Sequence, residues 1–208
     1  LDDSPELPST SHLVAVDRTG SVATMTSSIE TGFGSRVMVG GFLLNNQLTD
    51  FAWSDVKGGL PIANRYEPNK RPRSSMAPTL VFGPDGQPRL ALGSPGGSRI
   101  IGYVAKTVMA VLDWDMSLQR AIETPHFQNR NGAMEIEEAP NLDGIAATLT
   151  ARGYDIQRPA MASGLHGVEF IGGQYISGVD PRREGLAVGE ANLSPNLDQV
   201  FETLITKH

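Results

Sequence analysis

Cysteine is missing altogether from this 208-residue sequence, so it has no disulfide framework, no thiolate metal site and no cysteine nucleophile. No stretch approaches the roughly 18 consecutive apolar residues of a membrane-spanning helix, and Leu1 to Thr10 lack the basic-then-apolar pattern of a signal peptide. Positive charge is in deficit. Seventeen Lys and Arg against 23 Asp and Glu give a net charge of −6, which argues against a dominant phosphate-binding surface and therefore against a nucleic-acid partner. The one basic run, Lys70-Arg71-Pro72-Arg73, is interrupted by proline and reads as a solvated loop. His12, His126, His166 and His208 show no close metal-ligand spacing, and no H-E-x-x-H helix is present, so no metal is expected. A Gly-x-Ser-x-Gly elbow is missing as well. What survives as a nucleophile is Ser or Thr at a processed N-terminus.

The material that is present belongs to an ordinary globular protein: 39% hydrophobic and 19% charged, with 23 glycines and 14 prolines that imply many tight turns. The length suffices for one sizeable core. Leu1 to Ser9, with Asp2, Asp3, Pro5 and Pro8, have no periodicity and read as a tail or linker. Strand-like spacing from His12 to Val16 and from Ser21 to Thr26, around Asp17-Arg18-Thr19-Gly20, predicts a hairpin. Val37 to Leu44 reads as a third strand. Residues 54 to 74 read as a long ordered loop, and strands are expected at Thr79 to Phe82 and Arg89 to Leu92. Ile100, Ile101, Val104, Val108, Val111 and Leu112 recur at helical spacing. Further helices are expected over Ser117 to Glu123 and Leu142 to Ala151, the second closed by Gly153. Val168 to Phe170 and Tyr175 to Ser177 flank Gly172-Gly173, the composition of a two-residue hairpin turn. After Gly189 the pattern fades, with a short terminal helix expected around Val200, Leu204 and Ile205. Strands, then helices, then strands give an α+β or layered α/β/α architecture, without internal repeats.

Gly93-Ser94-Pro95-Gly96-Gly97-Ser98 sits between a strand and a helix start, where free backbone N–H groups and a positive dipole end favour an anion. Gly97-Ser98-Arg99 lacks the Gly-Lys-Ser/Thr ending of a phosphate loop. Two readings remain for this turn: an oxyanion hole, in which Gly96 and Gly97 let the backbone approach a reacting carbonyl, or a tight turn alone.

Six segments, in order, resemble landmarks of one family. They are Thr10-Ser11-His12, Gly32-Phe33-Gly34-Ser35, Leu44 through Phe51 (LNNQLTDF), Pro68 through Thr79 (PNKRPRSSMAPT), Gly93 through Arg99 (GSPGGSR) and Asp180-Pro181-Arg182-Arg183. Together they resemble the small, C-terminal subunit of the γ-glutamyltranspeptidases, over roughly Thr10 to Gly189. The resemblance implies an α+β, layered α/β/β/α N-terminal-nucleophile hydrolase fold. Residues 10–208 would supply the nucleophile-bearing half, residues 1–9 a linker or pro-segment tail, and a separate large subunit from the same precursor would complete the molecule. It also implies autoproteolysis before a threonine, no cofactor, and a periplasmic or secreted location.

By the same resemblance Thr10 is the nucleophile, and Ser28 stands where a second threonine usually hydrogen-bonds it. Gly96 and Gly97 match the oxyanion pair. Ser74 and Ser75 match the serines that hold the substrate α-carboxylate, helped by a large-subunit arginine. Gln47 and Asp50 match residues around the α-ammonium, and Glu30 replaces a common asparagine there, adding negative charge. Trp53, just beyond, either walls the acceptor side or packs as an ordinary tryptophan. The chemistry is coherent, because a threonine hydroxyl needs a base and an N-terminal threonine brings its own amine, of ordinary pKa about 7.7 to 8.0. The implied function is γ-glutamyl transfer from glutathione, glutamine or a related amide to amines or water. The alternatives are a cephalosporin or glutaryl acylase, a poly-γ-glutamate depolymerase, or a catalytically silent binding subunit.

Overall fold

Alternating side chains build the first unit. β1 (Ser11–Val16) and β2 (Val22–Ser27) pair antiparallel from Ser11 opposite Ser27 to Val16 opposite Val22, through a turn in which Asp17 caps the amides of Thr19 and Ser21. The computed structural model describes residues 10–189, so the expected tail over Leu1 to Ser9 and the expected terminal helix lie outside the described residues.

The run Val37 to Leu44 is not one strand. It folds as a minimal hairpin, β3 (Met38–Val39) and β4 (Phe42–Leu43), because Gly40 and Gly41 both take positive φ, 61° and 86°, and turn the chain back. A 3₁₀ turn over Gln47–Asp50 follows, and then a second small hairpin, β5 (Val56–Lys57) and β6 (Leu60–Pro61), inside the expected long loop.

β7 (Thr79–Phe82) and β8 (Pro88–Gly93) lead through the glycine turn into α1 (Ile100–Leu112) and α2 (Leu118–Glu123). Three short strands, β9 (Phe127–Asn129), β10 (Met134–Ile136) and, after α3 (Asp143–Ala151), β11 (Ile156–Gln157), form a separate sheet. α3 opens with a 3₁₀ turn at Pro140–Leu142 and is followed by Gly153 at φ 87°, as its sequence signal required. Finally β12 (His166–Ile171) and β13 (Gln174–Val179) turn on Gly172-Gly173 and join β8 and β7 in an antiparallel sheet of order β13-β12-β8-β7.

Three layers result: the β1–β2 ribbon, the four-stranded sheet, and α1 with α2. Leu90 and Leu92 of β8 meet Ile100, Tyr103, Val104, Val111, Leu118 and Ile122 in the core on the helix side. Gly167 and Gly178, opposite each other in the ladder, leave the hollow that Leu118 and Ile122 fill. On the other face His12 of β1 lies flat over Gly93, where an added Cβ would stand 2.2 Å from the ring. That contact brings the ribbon, and Thr10 at its start, close to the end of β8.

Candidate active site

Thr10 immediately precedes β1 and Ser28 immediately follows β2, where the ladder ends with Ser11 opposite Ser27, and Thr10 Oγ1 donates to Ser28 Oγ at 2.9 Å. Ser28 Oγ also accepts the Glu30 N–H at 2.9 Å, which curls the chain so that Glu30 adopts φ 76°. A left-handed conformation is uncommon for glutamate, and less so for the asparagine expected there. Asn46 holds the facing segment: its N–H donates to Ile29 O at 3.2 Å, and its Oδ1 accepts both the amide and the hydroxyl of Thr31 at 3.1 Å.

The next residue, Gln47, donates from Nε2 to Glu30 Oε2 at 3.2 Å and to Asp50 Oδ2 at 2.9 Å. Two carboxylates thus converge on one amide nitrogen. Because both neighbours are acceptors, the amide must turn its NH₂ toward them, and Gln47 Oε1 is left buried without a hydrogen-bond partner among the described residues. Thr10, Ser28, Glu30, Gln47 and Asp50 are therefore joined by one continuous run of hydrogen bonds. Its carboxylate end suits a cationic group.

The glycine turn lies beside an open cleft of about 1100 Å³, whose lining includes Thr10, His12, Pro95, Gly164 and His166. Gly96 has φ 137° and Gly97 φ 57°, and an added Cβ on Gly96 would meet the buried Tyr103 ring at 2.6 Å. The turn closes by Arg99 N–H donating to Gly96 O at 3.1 Å. Gly96 and Gly97 precede α1 as expected, and their amides make no turn hydrogen bond of their own among the described residues. Two anchors fix the turn. Buried Ser94 donates from Oγ to Pro95 O at 2.6 Å and accepts from Gly164 N at 3.2 Å. Arg99 makes a two-pronged bond with Glu135, at 3.0 and 2.9 Å. Burial works to raise the Glu135 pKa, but hydrogen bonds from Arg99, Arg130 and Gln128 overcome it and hold the carboxyl down at about 2.

Ser74 and Ser75 stand outside the Thr10 run; Ser74 Oγ accepts the Met76 N–H at 3.2 Å. A residue the sequence reading passed over ties their segment to Asp50. Asn64 donates from Nδ2 to Asp50 O at 2.7 Å, and its Oδ1 accepts the Arg73 N–H, next to Ser74, at 2.9 Å. The basic run is loop scaffolding here: Lys70 Nζ donates to Ala63 O at 2.7 Å and Arg65 O at 3.3 Å and pairs with Glu67 at 3.0 Å. Trp53 is 88% exposed and does not pack as a core residue among the described residues.

His12 and His126 serve the frame. His12 bonds Thr26 Oγ1 at 2.9 Å and Thr24 Oγ1 at 3.1 Å, and burial, with His166 nearby, lowers its pKa to about 4. His126 lies 2.7 Å from Ser163 Oγ, which itself donates to Asp180 at 2.5 Å, so the His126 Nε2 carries the proton. Burial first, then Lys106 and Arg182, push the His126 pKa down to about 2.

Known proteins resemble this chain in sequence and fold. The family model described as Gamma-glutamyltranspeptidase matches residues 2–190. The glutathione hydrolase proenzyme of Bacillus subtilis (strain 168) is 35% identical over 186 residues, covering 86% of this chain and 30% of that protein. The acylase ACY 1 proenzyme of Pseudomonas sp. (strain SE83) is 33% identical over 168 residues, covering 79% of this chain and 29% of its own length. This chain thus spans about a third of the length of the curated relatives it matches. The structure of γ-glutamyltranspeptidase from Pseudomonas nitroreducens complexed with L-DON superimposes with a TM-score of 0.76 at 30% identity, over 86% of this chain and 98% of the matched one. The layers described above are those of the N-terminal-nucleophile hydrolase fold. With the family model running across all of the described residues, and the fold shared at this level, the chain belongs to the gamma-glutamyltranspeptidase family.

Proposed function

We propose that this chain carries the nucleophile of a γ-glutamyl transferase and hydrolase, with Thr10 attacking after the Ser9–Thr10 bond has been cut. One observation carries the reading: the run of hydrogen bonds from Thr10 through Ser28 and the Glu30 backbone to the Glu30–Gln47–Asp50 cluster. It connects a hydroxyl at one end with an anionic recess at the other, as attack on the γ-carbonyl of an α-amino acid requires.

Cleavage turns the Thr10 nitrogen from an amide into an amine that can accept a proton. The amine takes the Oγ1 proton as Oγ1 attacks the γ-glutamyl carbonyl, and the Gly96 and Gly97 N–H groups receive the oxyanion. Collapse breaks the amide C–N bond, the leaving amine takes the proton from the Thr10 ammonium, and a threonyl ester remains. Water or an acceptor amine then attacks the ester, its proton passes to the Thr10 amine and on to Oγ1, and the γ-glutamyl product leaves. Glu30 and Asp50 face the donor's α-ammonium, Ser74 and Ser75 its α-carboxylate. A large subunit from the same precursor completes the carboxylate site with an arginine. The donors are glutathione, glutamine or related amides, and the enzyme works outside the cytoplasm. Among the described residues no helix is long and apolar enough to cross a membrane.

The kinship to an acylase keeps a glutaryl-transferring reading in view, but paired carboxylates around Gln47 give no advantage to an acyl group without an ammonium. The test expresses the full precursor, determines the intact masses and the N-terminus of the small chain, and follows turnover of a γ-glutamyl anilide. The expected small chain begins at Thr10. Thr10→Ala stays uncut and inactive, while Thr10→Ser matures slowly. A fully active enzyme whose small chain begins upstream of Thr10 overturns the mechanism. An uncut, inactive wild type supports a silent binding subunit instead.

A further inference from the structure

Asn64 bridges two strips of chain, one ending at Asp50 and one at Arg73. Its side-chain NH₂ takes the Asp50 carbonyl at 2.7 Å, and its side-chain oxygen takes the Arg73 amide at 2.9 Å. One partner is an acceptor and the other a donor, so only this amide orientation satisfies both. The bridge is itself braced. The Asn64 carbonyl accepts Ala52 N–H at 2.9 Å, Ala52 and Arg65 form an isolated parallel bridge, and Lys70 Nζ clasps the carbonyls of Ala63 and Arg65 on either side. Residue 64 is therefore the fixed point of the 52–73 segment, and its two side-chain arms end at the backbone of Asp50 and at the residue before Ser74.

The consequence is geometric. In an α-amino acid the ammonium and carboxylate sit on one carbon, so a site that grips both must hold its two sets of partners at one spacing. We propose that Asn64 is a positioning residue that sets the spacing between Asp50 and the Ser74–Ser75 pair, so that the two charged groups of a γ-glutamyl donor are recognised jointly rather than independently. The proposal rests on the assignment of Asp50 and Ser74–Ser75 to that donor's α-ammonium and α-carboxylate. Asn64 touches no substrate in this role. It acts through the backbone of the residues that do.

The test uses the mature enzyme made from the full precursor and four anilides with one leaving group: γ-glutamyl, glutaryl (no ammonium), 4-aminobutyryl (no carboxylate) and butyryl (neither). The product of kcat/KM for γ-glutamyl and butyryl, divided by the product for the other two, measures how far each charged group depends on the other. Wild type is expected to show a ratio well above one. Asn64→Ala lowers it by about tenfold, the scale of a modest misplacement of binding groups, while butyryl turnover stays within twofold and reports an intact fold and nucleophile. Asn64→Asp, which keeps the acceptor for the Arg73 amide but sets a carboxylate against the Asp50 carbonyl, lowers the ratio similarly. A ratio unchanged in both variants overturns the role of Asn64, as does an equal fall on all four anilides. A wild-type enzyme indifferent to both charged groups overturns instead the assignment of Asp50 and Ser74–Ser75.

Discussion

Gly93→Ala is a one-carbon probe of how Thr10 is placed. The added Cβ would stand 2.2, 2.4 and 2.7 Å from Cε1, Nδ1 and Nε2 of His12, and ordinary contact begins near 3.4 Å. The ring cannot swing aside cheaply, because Thr26 and Thr24 hold its two nitrogens at 2.9 and 3.1 Å. The strand must retreat instead, by roughly 1 Å, at an overpacking cost of about 1–3 kcal/mol. Thr10 is two residues from His12 on the same face, so it moves with the ring, and a displacement of ~1 Å at a reacting group lowers rate by as much as ~100-fold. The expected result is a kcat reduced on that scale, little change in donor KM, and a lower unfolding temperature. Adding His12→Ala removes the obstruction, so the double variant should lose less than the two single losses combined. Steady-state kinetics and thermal melts of all three variants decide the matter. Wild-type kcat and stability in Gly93→Ala would refute the close-contact argument.

Asp50→Ala should reduce kcat/KM for γ-glutamyl donors about ten- to a hundredfold, from a lost charged partner of about 1.5–3 kcal/mol, and spare acyl donors without an ammonium; an equal loss for both kinds removes Asp50 from the donor site. Glu30→Asn should narrow the preference for a free over an N-acetylated α-amine. It should also raise thermal stability slightly, since asparagine tolerates φ 76° better than glutamate; unchanged selectivity removes Glu30 from recognition of the α-amine. Acid should destabilise the protein in two stages. The folded His12 and His126 pKa values, about 4 and about 2, lie below the ordinary 6.5, so their stabilising effect is complete above pH 6.5 and is lost as pH falls toward 4 and below. Glu135, held at about 2 against an ordinary 4.5, adds a loss that begins near pH 4.5 and runs down through 2. Melts from pH 7.5 to 3 that stay flat contradict this, and Glu135→Gln should remove only the Glu135 share of the loss below pH 4.5, leaving the histidine share, which for His126 runs on toward 2.

The sequence made the ribbon, β7, β8 and α1 legible because each has a clear period and an obvious punctuation mark, such as Asp17 through Gly20 or the glycines before Ile100. β9, β10 and β11 escaped because strands of two or three residues contain no period to detect. The break at Gly40-Gly41 was hidden by apolar residues on both sides, which look continuous until both glycines are seen to take positive φ. For the site, composition and spacing led no further than an anion-friendly turn and a possible N-terminal nucleophile. The individual residues came from resemblance to a family. Asn64 and Glu135 went unread because their roles lie in partners far along the chain, such as Arg99 to Glu135 across 36 positions, and no local pattern encodes such a pair. The Gln47 amide shared between Glu30 and Asp50 likewise spans 17 positions on one side.

The β1–β2 ribbon belongs to its own two-stranded sheet and lies face-on against β8 and β12 without sharing their ladder. A hydrogen-bonded register changes only in whole steps, each of which turns side chains to the opposite face. Height above a sheet has no such steps, because it follows the bulk of the side chains between the layers. The distance from Thr10 to the end of β8 is thus a graded quantity, set chiefly where His12 meets Gly93. Substitutions at the facing positions of β1, β2 and β8 can shift the threonine by fractions of an ångström while every backbone hydrogen bond of both sheets stays intact.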